Sequence, residues 1–171
     1  VPVLRLRGHY FAIATLALCS FGIYLDGSIC GVTVYGNIIA RCGGSSVFVQ
    51  FGGDNAVENN IFVEGDAKRV QFDSMVFFGT FMYSDREGKY KEQEPPNRFR
   101  HNIFYYGGPD TKLYQVGHWD NAPTWDRRQA VFEDNLFWHK GQPIALCMHK
   151  TMDYKSLEEW QAQGYDTRSI V

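Results

Sequence analysis

Short apolar runs that recur about every 23 residues, in two interleaved series, predict an all-β chain. The expected architecture is a right-handed parallel β-helix, a solenoid of about five coils with one short helix near the C-terminus. Three observations carry it. The first is a set of four segments in which an asparagine precedes two large apolar residues: VTVYGNII (32–39), AVENNIFV (56–63), RFRHNIFY (98–105) and VFEDNLFW (131–138). The second is a series of β-like runs lying between them: GIYLD (22–26), SVFVQF (46–51), RVQFD (69–73), KLYQVG (112–117) and PIALCM (143–148). The third is length. Each run is too short for a helix and right for a strand. None can bury its apolar face alone, whereas stacking one coil on the next buries a continuous interior.

Taken in chain order, the coils start at Gly22 and at about Ser45, Lys68, Thr111 and Gln142. The aligned asparagines are Asn37, Asn60, Asn102 and Asn135, in steps of 23, 42 and 33 residues. Asparagine tolerates the left-handed backbone region that a sharp bend between strands requires, so each is expected at such a bend. Stacked asparagines can also bond to one another from coil to coil. Near the end, SLEEWQAQG (156–164) carries a serine N-cap, a glutamate three residues on and a closing glycine. It predicts a short capped helix packed outside the solenoid or over its end. Residues 21–171 are read as the β-helix domain, a truncated piece of a longer one, and 1–20 as an apolar segment, either a cap or an unrelated leader.

Composition narrows the function classes. The formal net charge is −2, without a basic run, which argues against a nucleic-acid surface. No stretch of 18 apolar residues exists, so no membrane span is expected. The run 9–18 (HYFAIATLAL) is long enough for the core of a signal peptide, although Leu18 stands where a lipoprotein cleavage box wants a small residue. The cysteines, Cys19, Cys30, Cys42 and Cys147, form no CxxC pair and no zinc spacing, so no metal and no cofactor is implied. They read as buried thiols, with a Cys30–Cys42 disulfide as the alternative.

The insertions point to a site. The turn after the first strand is short in the first two coils, Gly27–Gly31 and Gly52–Asn55. It lengthens to about Ser74–Pro96 and then His118–Gln129. Long excursions from one corner on neighbouring coils wall a cleft along the first-sheet strands. The residues closing those strands then form a row: Asp26, Gln50, Asp73, His118 with Asp120, and His149. Tyr83, Trp119 and Trp125 lie on the loops. Carboxylates beside aromatic faces suit sugar chemistry, because glycosidic cleavage uses one carboxylic acid and a second carboxylate as base or nucleophile. Asp73, Asp26, Asp120 and His118 are therefore the catalytic candidates. Gln50, Trp119, Trp125, Tyr83 and His149 are the substrate-binding candidates. Asp26 also suits a turn, and Asp54 reads as a turn former. His101, His139 and Glu58 read as exposed strand residues. A lyase would need a basic residue or calcium at the cleft, where only Lys112 and Arg69 are close.

GIYLDGSICGVTVYGNII and GGDNAVENNIFV resemble the right-handed parallel β-helix proteins of bacteria. Among these the chain is similar to secreted carbohydrate-active members of the glycosidase and polysaccharide-lyase type, the pectate-lyase-like group. The tail resembles their end segment, with Ser156, Glu159 and Trp160 followed by Gly164, Asp166, Ser169 and Ile170. The resemblance covers about 21–171. It implies a secreted or periplasmic protein acting on a polysaccharide or oligosaccharide, with hydrolysis of glycosidic bonds by paired carboxylates as the leading expectation. A noncatalytic glycan-binding or structural module, or an inactive fragment of such an enzyme, is the alternative. Asp26 and Asp73 match the acidic sites of such proteins. Residues 4–18 (LRLRGHYFAIATLAL) separately resemble a segment of the membrane permease subunits of branched-chain amino-acid ABC transporters.

Overall fold

A computed structural model describes residues 6–7, 22–26, 29–50, 52–64, 74–80, 96–107, 112–118, 130–140, 146–148 and 153–171. These residues form fifteen strands and one short helix, an all-β architecture. Sheet 1 contains β2 (Ile23–Leu25), β5 (Val47–Gln50), β8 (Ser74–Thr80), β11 (Lys112–His118), β14 (Leu146–Met148) and β15 (Asp153–Lys155), side by side in that order. Sheet 2 contains β1 (Leu6–Arg7), β3 (Thr33–Tyr35), β6 (Ala56–Glu58), β9 (Asn97–Arg100) and β12 (Ala130–Glu133). Sheet 3 contains β4 (Ile38–Ala40), β7 (Ile61–Val63), β10 (Ile103–Tyr106) and β13 (Leu136–His139). Pairing is parallel throughout except at two edges. There β1 runs antiparallel to β3, and β15 antiparallel to β14.

Each asparagine segment contributes one strand to sheet 2 and the next to sheet 3, with the asparagine between them. The register follows the repeat: Val34 pairs with Val57, Val57 with Phe99, and Phe99 with Phe132. In sheet 3, Ile39 pairs with Phe62, Phe62 with Phe104, and Phe104 with Phe137. These aligned residues are the core. Phe62 stacks on Phe104 at 4.9 Å, and Phe99 lies 5.4 Å from Phe132. Tyr114 of sheet 1 reaches Phe104 of sheet 3 and Phe132 of sheet 2, so the three sheets share one core. Each fully buried large apolar side chain of this kind contributes roughly 1.5–3 kcal/mol relative to exposure.

The asparagines bond to one another with a consistent polarity. Asn37 Nδ2 donates to Asn60 Oδ1, Asn60 Nδ2 to Asn102 Oδ1, and Asn102 Nδ2 to Asn135 Oδ1, at 3.1, 3.1 and 3.2 Å. The same carbonyls also accept the backbone N–H of the preceding asparagine. This is the stacking that the sequence predicts. The expected left-handed conformation falls one place earlier, at Gly36, Asn59, His101 and Asp134, with φ of 68°, 55°, 55° and 54°. The bend thus belongs to the residue before the asparagine. The asparagine's own part is to satisfy the buried backbone amides that the bend removes from the sheets. A second ladder, from Asn55 Nδ2 to Asn97 Oδ1 at 2.9 Å, supports the other turn.

The C-terminal segment completes the first ladder. α1 (Leu157–Ala162) has Ser156 as N-cap and a full capping box with Glu159, as predicted. Its Trp160 is buried against Phe132 and Tyr114. Beyond the helix, the Asp166 carboxylate accepts from Asn135 Nδ2 at 3.0 Å and from Trp160 Nε1 at 2.9 Å, and it also accepts from the Ser169 hydroxyl. A ladder in which every rung donates forward must end on an acceptor, and Asp166 Oδ1 is that acceptor.

Sheet 1 departs from the expected strand assignment in its third member. Val47 and Gln50 pair with Val76 and Gly79, so the third strand is β8 rather than 69–73. Residues 69–73 lie outside the described residues. Both runs have strand composition, but Val76–Phe78 joins a longer apolar stretch and is the one held against β5. His139 is also corrected: it is buried, and its ring stacks on Tyr106 at 4.3 Å. Glu58 is half-buried, with Arg100 Nε 3.5 Å from its carboxylate. Asp54 is left-handed (φ 55°) and paired with Arg98 at 2.9 Å, in keeping with its reading as a turn former. Cys30 and Cys42 carry thiols and are not bridged to each other.

Candidate functional site on sheet 1

Residues along a strand alternate between faces, so Tyr24 and Asp26 share one face of β2, and Phe48 and Gln50 share one face of β5. The parallel register sets Tyr24 opposite Phe48 and Leu25 opposite Val49, which places Asp26 next to Gln50. The Tyr24 and Phe48 rings stack at 4.6 Å with planes 3° apart. Tyr24 and Asp26 are exposed, whereas Leu25 between them is buried in the core.

The Tyr24 hydroxyl lies against both Asp26 and Gln50. It donates to Asp26 Oδ1 at 2.9 Å and contacts the side-chain oxygen of Gln50. A phenol has one proton, and the charged acceptor claims it, because a hydrogen bond to an ionised group is roughly twice as strong as a neutral one. Both neighbours present oxygens to the phenol, Asp26 through Oδ1 and Gln50 through Oε1. Burial pushes the Tyr24 hydroxyl up to about 12, assisted by the hydrogen bond and charge of Asp26. Tyr24 is accordingly a neutral donor at physiological pH. It holds one oxygen of Asp26 in place, and among the described residues Asp26 Oδ2 has no hydrogen-bond partner.

The row continues differently from expectation. Gln50 pairs with Gly79, and Gly79 with Gly117. The third place, expected to be Asp73, is therefore a glycine, and the fourth is another. Two adjacent positions of the row therefore carry no side chain. His118 closes β11 opposite Thr80, one place beyond the row. Asp73, Asp120, Tyr83, Trp119, Trp125, His149 and Arg69 lie outside the described residues. Lys112 stands at the start of β11 opposite Ser74.

Of the predicted site residues, then, Asp26 and Gln50 come together, joined by a residue that the sequence reading passed over. The signal for Tyr24 was present: it stands two places before Asp26 in GIYLD, on the same strand face. The signal for the corrected row was the glycine shared by VFFGT and YQVGH. Among the described residues no three His, Cys, Asp or Glu side chains gather as a metal-ligand set. Among the same residues no helix is long and apolar enough to cross a membrane.

A second surface lies on sheet 3, where Ile38, Ile61, Ile103 and Leu136 align and Tyr105 packs against the exposed Trp138 at 4.6 Å. It offers apolar area without ionisable chemistry. In comparisons with known proteins, no family model, no curated protein and no solved structure matches the chain.

Proposed function

We propose that the three parallel sheets are the faces of a right-handed parallel β-helix, each repeat supplying one strand to each face, and that the outer face of sheet 1 binds a polysaccharide. The observation that carries this reading is the Gln50–Tyr24–Asp26 network beside the Tyr24–Phe48 stack, in line with Gly79 and Gly117. An aromatic face takes the apolar face of a sugar ring, and a fixed carboxylate takes its hydroxyls. Gly79 and Gly117 place no side chain on the row. The resemblance to secreted carbohydrate-active β-helix proteins supports the same ligand class and a secreted or periplasmic setting.

The hydrolytic form of this reading gives Asp26 one of the two carboxylate roles. Asp120 is the stronger candidate for the other. It follows Gly117 by three residues, within about 10 Å of extended chain, whereas Asp73 precedes Gly79 by six, about 20 Å. A retaining pair stands about 5–5.5 Å apart and an inverting pair about 6.5–9.5 Å. The noncatalytic form, a binding module, is favoured by the single carboxylate among the described residues of the row.

Polysaccharide binding and release of reducing ends, measured on one panel of polymers, test the proposal. Gly117→Val fills the row at a strand position, and its melting temperature is measured beside its binding. It is expected to weaken binding of long chains at least tenfold in either form. In the hydrolytic form, Asp26→Asn and Asp120→Asn each lower turnover by about 10²–10⁴. A wild-type protein that binds but releases nothing is the binding module. If no polymer binds, the carbohydrate reading fails.

A further inference from the structure

We infer that the outer face of sheet 3 is a self-association surface, on which a second copy of this chain packs with its strands stacked in the reverse order. Phe62, Phe104 and Phe137 point into the core, so the residues on either side of them point outward. One outward row is Ile38, Ile61, Ile103 and Leu136, continued by Ile170, which bridges to Leu136. The other is Ala40, Val63, Tyr105 and Trp138. Neither row holds a charged side chain. Of the seven large apolar side chains exposed among the described residues, four stand here: Ile38 (63%), Ile103 (37%), Trp138 (55%) and Ile170 (63%). Exposed apolar residues scattered singly are ordinary, whereas a contiguous set of them marks a contact surface.

The sizes along the second row identify the occupant. The first row is nearly uniform, three isoleucines and a leucine, but the second grows from Ala40 through Val63 and Tyr105 to Trp138. The face is thus a wedge, low at β4 and high at β13. A second copy turned about a two-fold axis parallel to the strands lays its β13 over β4 and its β10 over β7. Trp138 of one copy then falls opposite Ala40 of the other, and Tyr105 opposite Val63, so large meets small at each position. The two wedges complete one another across the ~10 Å at which sheets pack face to face. The other two-fold, along the stack of strands, sets Trp138 over Leu136 and Ala40 over Ile38 and gapes at β4. Four strands about 4.8 Å apart, each presenting about 14 Å, give a footprint of roughly 270 Å² per copy, a third of the ~800 Å² of a stable complex. The dimer is therefore weak and concentration-dependent. It uses no residue of sheet 1 and stands apart from the polysaccharide reading.

Sedimentation equilibrium of the full chain tests this, with melts of each variant to confirm its fold. The expected result is a reversible dimer that forms between about 10 µM and 1 mM, without larger species. Trp138→Ala leaves a hollow opposite Ala40, and Ala40→Trp sets two indoles against one another. Each weakens association at least about tenfold. Mixed in equal amounts, these two variants restore the dimer, because in the mixed pair each indole faces an alanine. Ile103→Lys, a charge near the centre of the face, abolishes the dimer independently. A wild-type chain that stays monomeric at about 1 mM overturns the inference, and so does a dimer that either Trp138→Ala or Ile103→Lys leaves unchanged. Growth beyond the dimer overturns the two-fold. A dimer weakened by both size variants but not restored by their mixture overturns the reversed stacking.

Discussion

The polarity of the asparagine ladder makes the cost of losing a rung depend on its position. Asn102 Oδ1 accepts two bonds from the preceding rung, from the backbone N–H of Asn60 at 3.0 Å and from Asn60 Nδ2 at 3.1 Å. Its own Nδ2 donates to Val57 O at 2.8 Å. In Asn102→Ala, the Asn60 side chain keeps its bonds to Val34 O and Glu58 O, but the buried Asn60 N–H loses its acceptor. An orphaned buried donor costs roughly 1–3 kcal/mol, and the lost bond to Val57 a further ~1 kcal/mol, for about 2–4 kcal/mol in all. In a chain of this length that lowers Tm by roughly 5–15 °C. Asn37 is the opposite case. It donates to Tyr35 O and Asn60 Oδ1, while its backbone N–H is served by Asn60 and survives the substitution. Asn37→Ala orphans no buried amide and is expected to cost under ~1 kcal/mol, or a shift of about 3 °C at most. Calorimetric melts of the two variants, with urea titrations as a check, measure the difference. Equal destabilisation by Asn37→Ala and Asn102→Ala would refute a directional ladder.

Two further predictions concern the ends of the sheets. Burial raises the Asp166 carboxyl above its ordinary range, against the lowering effect of its bonds from Ser169, Asn135 and Trp160. A folded-state value above the unfolded one means that the folded protein holds this proton more tightly. The stabilising contribution is thus complete below about pH 3.9, the unfolded value, and is lost as pH rises through the raised folded value. Relative to Asp166→Asn, which does not titrate, wild type should lose Tm steadily as pH rises from 4 towards 7; a constant difference would contradict the assignment. At the other end, a Cβ on Gly22 would lie 2.6 Å from Ser46 O and 2.6 Å from Ile39 Cγ2. Gly22→Ala should therefore cost about 1–3 kcal/mol by overpacking. At Gly107 the nearest contact is an ordinary 3.6 Å, and Gly107→Ala should melt within about a degree or two of wild type.

The pairs of strands around each asparagine, the side-chain ladder and the capped helix were all legible in the order of residues. Each depends on chemistry within a few positions or on an identity repeated down the chain: an apolar pair after an asparagine, a serine three places before a glutamate. The strand pairing of sheet 1 was not legible in the same way. Residues 69–73 and 74–80 both have strand composition, and the choice between them is collective, made by the whole run that pairs with Val47–Gln50. That choice replaced an expected aspartate by Gly79 in the row and so changed the chemistry assigned to the site. Tyr24 gained its role for a similar reason, since its partner Gln50 is 26 positions away and only parallel pairing in register sets the two side by side. His139 looked like an exposed strand residue and is buried because Tyr106, across the parallel pair, offers its ring. Local pattern decided which segments are strands and where they bend. The register between strands distant in the chain decided which side chains meet, because a side chain's neighbours across a sheet are supplied by the pairing and not by the sequence around it.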